Sequence, residues 1–389
     1  MQGESMIGAI MKREVKRMLS RPIYMFSMII APAFAFIFFT SLMSEGLPSD
    51  LPAGVVDEDN SSVTRQIIRN LDAFQQTKIV AHYDNFAEGR EAMQQGKIYA
   101  LYYIPEGTTK LALASKQPTV SFYTAASYIV PASLEYRDMK MMSEYASGAI
   151  TRATLYAKGY TEDKAMAILQ PIKMEMHAVG NPSLNYSIYL SNTLLPGALM
   201  LLIFQLTIYS IFSELKEETS KEWLALADNN ILKALLGKLL PHTLVWLIMG
   251  MFYIVLLYGY WHFPVLCGVG TMIALMALFI LVSQAFGVFF CGAVPSLRWA
   301  LSLATLWGVL SFPISGFSFP QMAFPAPLRA LSYLFPLRHY FLIYVDQALN
   351  GLPLSYSWLS IACLLGFLVL PLLVLGRLRK FLLEYQYQI

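Results

Sequence analysis

IYMFSMIIAPAFAFIFFTSLM, residues 23–43, runs for 21 residues without a charged side chain. A bilayer core takes roughly 20 mainly apolar residues of helix to cross, so the stretch reads as a membrane span. Five more runs of this kind come later in the chain, at 191–212, 241–260, 264–291, 299–317 and 355–376, and none has Asp, Glu, Lys or Arg in its interior. Composition agrees: 56% of the 389 residues are hydrophobic and 14% charged, against roughly 25% charged in soluble domains. Pro32 and Pro196 fall inside two runs, which membrane helices tolerate where neighbours satisfy the freed backbone groups. The basic flank MKREVKRMLSR (11–21) ahead of the first run suits a signal peptide as well as an anchor. The run is longer than the roughly 7–15 residues of a signal core and no A-x-A site succeeds it, so it reads as a permanent anchor.

Lysine and arginine in short connections mark the cytoplasmic side. Lys12, Arg13, Lys16, Arg17 and Arg21 precede the first span; Lys216, Lys221, Lys233 and Lys238 separate the second from the third. Arg298 lies between the fourth and fifth, and Arg377, Arg379 and Lys380 come after the sixth. The alternate connections hold none at 261–263 and only Arg329 and Arg338 across 318–354. Both termini are therefore expected in the cytoplasm and residues 44–190 outside it. Lys plus Arg (28) nearly balance Asp plus Glu (25), so net charge gives no reason to expect a nucleic-acid partner.

Within residues 1–22, Ile7, Ile10, Met11, Val15 and Met18 form one helical stripe, with Lys12, Arg13, Lys16 and Arg17 elsewhere around the helix. This predicts a basic amphipathic helix lying at the cytoplasmic membrane surface. Segment 44–190 reads as mixed α/β, with strands at 53–59, 77–83, 97–105 and 118–126, helices at 60–71 and 86–96, and a long helix over 131–170. Segment 318–354 is too apolar for an ordinary loop, yet Pro320, Pro325, Pro327 and Pro336 cut it into pieces too short to span. The expected architecture is an all-α membrane domain of six spans with an N-terminal interfacial helix, re-entrant helices before span six, and an inserted extracytoplasmic α/β domain. Its divisions are 1–22, 23–43, 44–190 and 191–389.

No H-E-x-x-H, G-x-S-x-G, C-x-x-C or Gly-rich dinucleotide turn is present. GREAMQQGK (89–97) approaches a phosphate loop, but its spacing is wrong and Ile98 comes directly after the lysine. Cys267, Cys291 and Cys363 lie in or beside apolar runs, and the five histidines show no metal-ligand spacing. Hence neither catalysis nor a bound metal or cofactor is expected of this chain. Ion-driven transporters place ionisable groups at membrane depth; these spans offer Gln205 and Gln284 as their strongest polar groups. Any uphill work needs energy supplied from elsewhere.

One polar stretch stands out. SELKEETSKEWLALADNN (213–230) carries Glu214, Glu217, Glu218, Glu222 and Asp228 against Lys216 and Lys221, then Trp223, Leu224 and Leu226. A short helix with an acidic start and an apolar end suits a cleft in a cytoplasmic partner; a solvated loop is the alternative. Carried on as far as Pro241, the segment EETSKEWLALADNNILKALLGKLLP (217–241) resembles the coupling region of type-2 ABC exporter permeases, whose "GT-x-E-x-L" core precedes "GK-x-L". Thr219, Glu222, Leu224, Gly237 and Lys238 match; Ser220 and Lys221 depart, and ADNN replaces a Ser/Thr-Pro turn. KREVKRMLSRPIYMFSMIIAP is similar to that family's elbow helix and first span. VVDEDNSSVTRQIIRNL with AMQQGKIYALYYIPEG resembles the outer domain of a subgroup with a large insert between spans one and two. The run from Pro313 to Gly351 is similar to its re-entrant segment, here containing Pro320, Pro336, Arg338, His339 and Tyr340.

The resemblance implies a non-catalytic permease subunit in a bacterial cytoplasmic membrane, paired with a second copy or a paralogue. Two ABC ATPase subunits holding ATP and Mg would dock beneath. Coupling would run through Glu214, Glu217, Glu218, Thr219, Glu222, Trp223 and Leu224, in loop 213–235, and through Lys12, Arg13, Lys16 and Arg17 of the elbow. Membrane lipid and a periplasmic adaptor are further candidate partners. Asn192, Gln205, Ser302 and Ser311 are candidates for the substrate path, with helix packing as the alternative. Arg338 and His339 read either as a polar pair at the outer membrane face or as substrate contacts. The rival reading of the whole chain is a membrane-anchored sensor or scaffold whose outer domain binds a ligand.

Overall fold

The computed structural model describes residues 6–114, 116–172, 175, 177 and 179–384; the first five residues of the predicted elbow segment lie outside them. Contacts divide the chain into two compact units, Glu45–His177 and the remainder. The chain opens with α1 (Met6–Ser20) and α2 (Pro22–Leu42) of the larger unit. A π turn at Phe26–Ile30 precedes Pro32, whose nitrogen has no hydrogen to donate.

The smaller unit runs β1 (Leu51–Asp57), α3 (Ser62–Asp72), β2 (Thr77–His82), α4 (Phe86–Gln94), β3 (Ala100–Ile104), α5 (Thr108–Leu113), β4 (Ser121–Thr124), α6 (Ile129–Ala157) and α7 (Glu162–Leu169). Its sheet has the order β2-β1-β3-β4, with β1 parallel to both neighbours and β4 antiparallel to β3. Ile68 and Leu71 of α3 and Met139 and Met142 of α6 cover one face with Ala53, Val55, Tyr102 and Ile104. Ala92 of α4 packs on the other face with Val56 and Leu101. Helices on both faces explain why β1 is apolar along most of its length rather than alternating. The helix expected over 131–170 breaks in two because Gly159 adopts φ +80°, a conformation open to glycine.

The larger unit resumes with α8 (Tyr186–Lys216), α9 (Ser220–Ala225), α10 (Ile231–Tyr260), α11 (Val269–Ala293), α12 (Leu297–Ile314), α13 (Ala326–Ser332), α14 (Pro336–Tyr344) and α15 (Leu354–Glu384). Among the described residues, six helices, α2, α8, α10, α11, α12 and α15, are long and apolar enough to cross a membrane. α8 and α11 form the centre: 67% of the most apolar stretch of each is buried, against 28% in α2 and α12 and 6% in α15. The outer helices thus present apolar side chains that a bilayer would cover. Residues 318–354 fold as a 3-10 turn, α13, α14 and a π turn, none of span length.

Candidate coupling site

Glu214 was expected in a polar loop. Instead Ser213–Lys216 finish α8, and the Glu214 side chain is fully buried. Neutralisation makes this possible: Arg13 Nη1 and Nη2 each donate to one carboxylate oxygen at 2.8 Å, and Lys238 Nζ donates at 2.8 Å. Arg17 and the Thr219 hydroxyl also donate to it. A carboxylate taken out of water costs several kcal/mol unless such partners surround it.

A second buried carboxylate, Glu14, faces inward from α1. It accepts from Lys238 Nζ at 2.6 Å, Ser210 Oγ at 3.2 Å and His242 Nε2 at 2.9 Å. Burial alone would raise its pKa, but the His242 hydrogen bond and the Lys238 charge outweigh it and hold the carboxyl down at about 2. An ionised Glu14 only accepts, so Nε2 of His242 carries the proton. Glu217, half-exposed at the end of α8, accepts from Arg17 Nη2 at 2.7 Å and from Arg21. The Arg21 hydrogen bond keeps Glu217 below the usual carboxylate range, against a weaker opposing effect of burial.

The same charges tie α1 to two helices. Arg13 and Arg17 reach α8, Glu14 reaches α8 and α10, and Gly237 lets α1 lie directly on α10. A Cβ at Gly237 would stand 2.8 Å from Ile10 Cβ and 3.3 Å from Ile7 O.

α9 hangs below this cluster with two unlike faces. Trp223 and Leu224 are fully buried. Trp223 Nε1 donates to Ala234 O at 3.3 Å, and Lys238 Nζ lies 5.2 Å from its ring centroid. Ser220 Oγ donates to Leu382 O at 2.8 Å, joining α9 to the end of α15. The opposite face, with Lys221, Glu222 and Leu226, is exposed, as are Lys216 and Glu218 just before it. Glu218, Asp228 and Asn229 have positive φ, and Asn230 caps α10 by accepting from Leu232 N and Lys233 N. The ADNN sequence therefore makes this turn with residues that tolerate left-handed backbone and cap helices.

Of the residues singled out from sequence, Glu214 and Glu217 bond Arg13 or Arg17 here, Thr219 bonds Glu214, and Trp223 and Leu224 are buried in α9. Glu218 and Glu222 lie on the exposed side, as do Lys12 and Lys16 on α1. Arg13 and Arg17 thus point to protein rather than to a lipid surface. Sequence reasoning missed Glu14, Ser210 and His242. The available signal was one glutamate inside a helix otherwise charged by bases.

Elsewhere, Pro336 starts α14, and Arg338, His339 and Tyr340 are buried, while Pro320 is exposed ahead of the 3-10 turn. Asn192 is buried, its Oδ1 accepting from Tyr253 and Tyr258 hydroxyls at 3.2 and 3.1 Å. Gln205 donates to Leu301 O at 3.3 Å and to Thr305; Ser311 Oγ donates to Trp307 O at 2.8 Å; Ser302 is exposed. The four lie on α8 and α12, which pack together. Among the described residues, no group of three or more His, Cys, Asp or Glu is placed to hold a metal ion.

A comparison with curated proteins finds no match. A family model does match: that described as ABC-2 family transporter protein, over residues 22–377. The match takes in all of α2 to α14 and most of α15, including the inserted sheet, while α1 with Arg13, Glu14 and Arg17 precedes it. On that match and six apolar spanning helices, the chain belongs to the ABC-2 family, as a type-2 ABC transporter permease.

Proposed function

We propose that this permease forms the membrane path of an ATP-driven exporter and receives its force from a separate ATP-binding subunit that grips α9. The observation that carries this reading is the two-sidedness of α9. One face is sealed into the protein by Trp223, Leu224 and Ser220, and the other offers Lys221, Glu222 and Leu226 to a partner. A push on the exposed face reaches Lys238 through the Trp223 ring, and from Lys238 passes to Glu214 on α8 and Glu14 on α1. Movement then needs only two arrangements of rigid helices with different contacts to the ATPase.

The chain itself neither binds nor hydrolyses ATP in this reading; ATP and Mg sit in the partner. α9 and both termini face the cytoplasm of a bacterial cell, in keeping with the lysines and arginines around them. Residues 45–177 then lie outside the cytoplasm, where they meet substrate or an envelope adaptor. A second copy or a paralogue completes the path. Gln205 and Thr305 support this, being a polar pair between α8 and α12, with exposed Ser302 one turn before Thr305, that suits protein or substrate better than lipid chains.

The test is reconstitution of the chain with its ATP-binding partner in vesicles. The complex is expected to export in an ATP-dependent way, and Glu222→Arg with Leu226→Asp to abolish association while leaving the melting temperature unchanged. Both side chains are exposed, so lost association in a folded variant reports the interface. Unchanged association and export in that variant would refute the role of α9, and a complex that never moves solute would favour a sensor.

A further inference from the structure

α15 is fastened at its two ends to different parts of the larger unit. Its first α-helical stretch, Trp358–Phe367, lies along α14 and the turn after it. Just ahead of that stretch, Ser357 Oγ donates to Asp346 Oδ2 at 2.9 Å and accepts from Gln347 Nε2 at 3.2 Å. At its far end the Phe367 ring lies 5.8 Å from His339 and 5.1 Å from Phe286 of α11. The last stretch, Leu375–Glu384, packs on α8 and α9 instead. Ser220 Oγ of α9 donates to Leu382 O at 2.8 Å, Phe381 meets Phe212 of α8 edge to face at 5.9 Å, and Leu378 and Leu382 are buried. Carbonyls in the last turn of a helix lack an intrahelical donor, and Ser220 supplies one to Leu382.

Between the two stretches the helix is broken. Leu370–Leu373 form a 3-10 turn, and the bonds around it run three residues back: Val369 N to Gly366 O at 3.1 Å, Leu372 N to Val369 O at 3.0 Å and Val374 N to Pro371 O at 3.0 Å. Pro371 has no N–H to return to Phe367 O, and a 3-10 stretch at a proline is a place where a helix bends. Val369, Leu372 and Leu373 in this break are each more than half exposed. Directly after it the backbone rests on the end of α11, where a Cβ at Gly292 would stand 2.6 Å from Val374 Cβ and 3.0 Å from Val374 O. A bend here has a bearing point at Val374 and exposed side chains elsewhere around it.

An element tied to two bodies must bend or lose a contact when those bodies move relative to one another. With only 6% of its most apolar stretch buried, α15 has little packing to hold it straight. We propose that the break at 368–374 is a hinge: the last stretch of α15 travels with α9, and the first stays with α14. This inference rests on the coupling role of α9 and adds to it a second moving helix end, fixed through Ser220.

The experiment is double electron–electron resonance on the full chain in nanodiscs, with Cys267, Cys291 and Cys363 replaced by alanine and spin labels placed at the exposed positions of Leu359 and Lys380, on either side of the break. Pro371→Ala restores the missing amide and favours continuous helix, so it stiffens the break without removing a packed group. In the chain alone, the distance distribution is expected to be broader with Pro371 than in Pro371→Ala. In the complex with the ATP-binding partner, ATP is expected to shift the 359–380 distance by about 2 Å or more. Pro371→Ala should lose that shift, and its export should fall by about threefold or more at undiminished ATP hydrolysis. Ser220→Ala, which alters no exposed group, should reduce the shift. Equal distributions in the two chains alone, a shift of the same size in Pro371→Ala, or an unchanged distance in a complex that exports overturns the hinge. A complex that does not form, or that hydrolyses ATP without export, counts against the coupling reading of α9, and the comparison of the two chains alone then decides the hinge.

Discussion

Lys238 Nζ donates to Glu14 Oε2 at 2.6 Å, joining two side chains 224 positions apart in sequence, both buried. The same amino group reaches Glu214. One lysine thus holds the amphipathic first helix against the ends of two spans, and its loss would strand two buried carboxylates.

Lys238→Met is therefore expected to destabilise the chain by about 3–5 kcal/mol, the cost of an uncompensated buried charge. Adding Glu14→Gln should recover part of that, since one stranded carboxylate disappears. Thermal unfolding of the four members of this double-mutant cycle measures it; strictly additive losses would mean that the two residues do not interact.

Glu14 also sets a pH dependence. Its folded pKa of about 2 lies below its ordinary value of 4.5, so the stability it contributes is present above about pH 4.5 and is lost as pH falls toward 2. Hydrogen exchange in α1 should accelerate over that range, and Glu14→Gln should flatten the profile. An unchanged profile in Glu14→Gln would assign the effect to other groups, Glu217 first among them.

In the smaller unit the sign reverses. Glu135 on α6 is fully buried and neither carboxylate oxygen has a hydrogen-bond partner. Burial, aided by the neighbouring Asp138, raises its pKa to about 8. Asp138 accepts from Thr77 at 3.1 Å and lies 3.6 Å from Arg137, so it has the partners that Glu135 lacks. A raised carboxyl contributes stability that is complete below about pH 4.5 and is lost as pH rises through 8. Exchange protection in α6 should fall as pH rises from about 4.5 to about 8. Glu135→Gln should remove the dependence and stabilise by about 1–3 kcal/mol at pH 9, the cost of an unsatisfied buried polar group; a destabilised Gln variant would show that Glu135 has an ionic role.

Gly237 tests the seat of α1. Gly237→Ala puts a methyl group 2.8 Å from Ile10 Cβ, and overpacking of this kind costs about 1–3 kcal/mol. The loss is read as faster proteolysis of α1, greater for Gly237→Val than for Gly237→Ala. Unchanged protease resistance in both variants would mean that α1 does not rest on Gly237.

The six spans were legible because charge-free runs of 20 residues have few other uses, and the sheet because its strands and helices keep their own periods. Their ends were not. α8 runs four residues beyond the apolar stretch because Arg13 and Arg17, some 200 residues away in sequence, neutralise Glu214; no local pattern reports a partner so distant. For the same reason the bases of α1 read as a lipid-facing set, although two of them turn inward. Trp223 and Leu224 were legible as an apolar end to an acidic helix, whereas Glu14 looked like an interruption in a basic run. Arg338 and His339 were visible as an unusual pair, but only packing shows that one is stacked on Tyr333 while the other is bonded to a backbone carbonyl.

The role of α9 is tested most directly by a photo-crosslinking side chain placed at Glu222 in cells that also make the ATP-binding partner, with an equivalent probe at Glu91 on α4. Both positions are exposed. The expected result is an adduct between position 222 and the ATP-binding subunit, changed in yield by ATP, and none from position 91. An adduct from position 91 with none from 222 would place the partner on the wrong side of the chain and contradict both the orientation and the coupling role of α9.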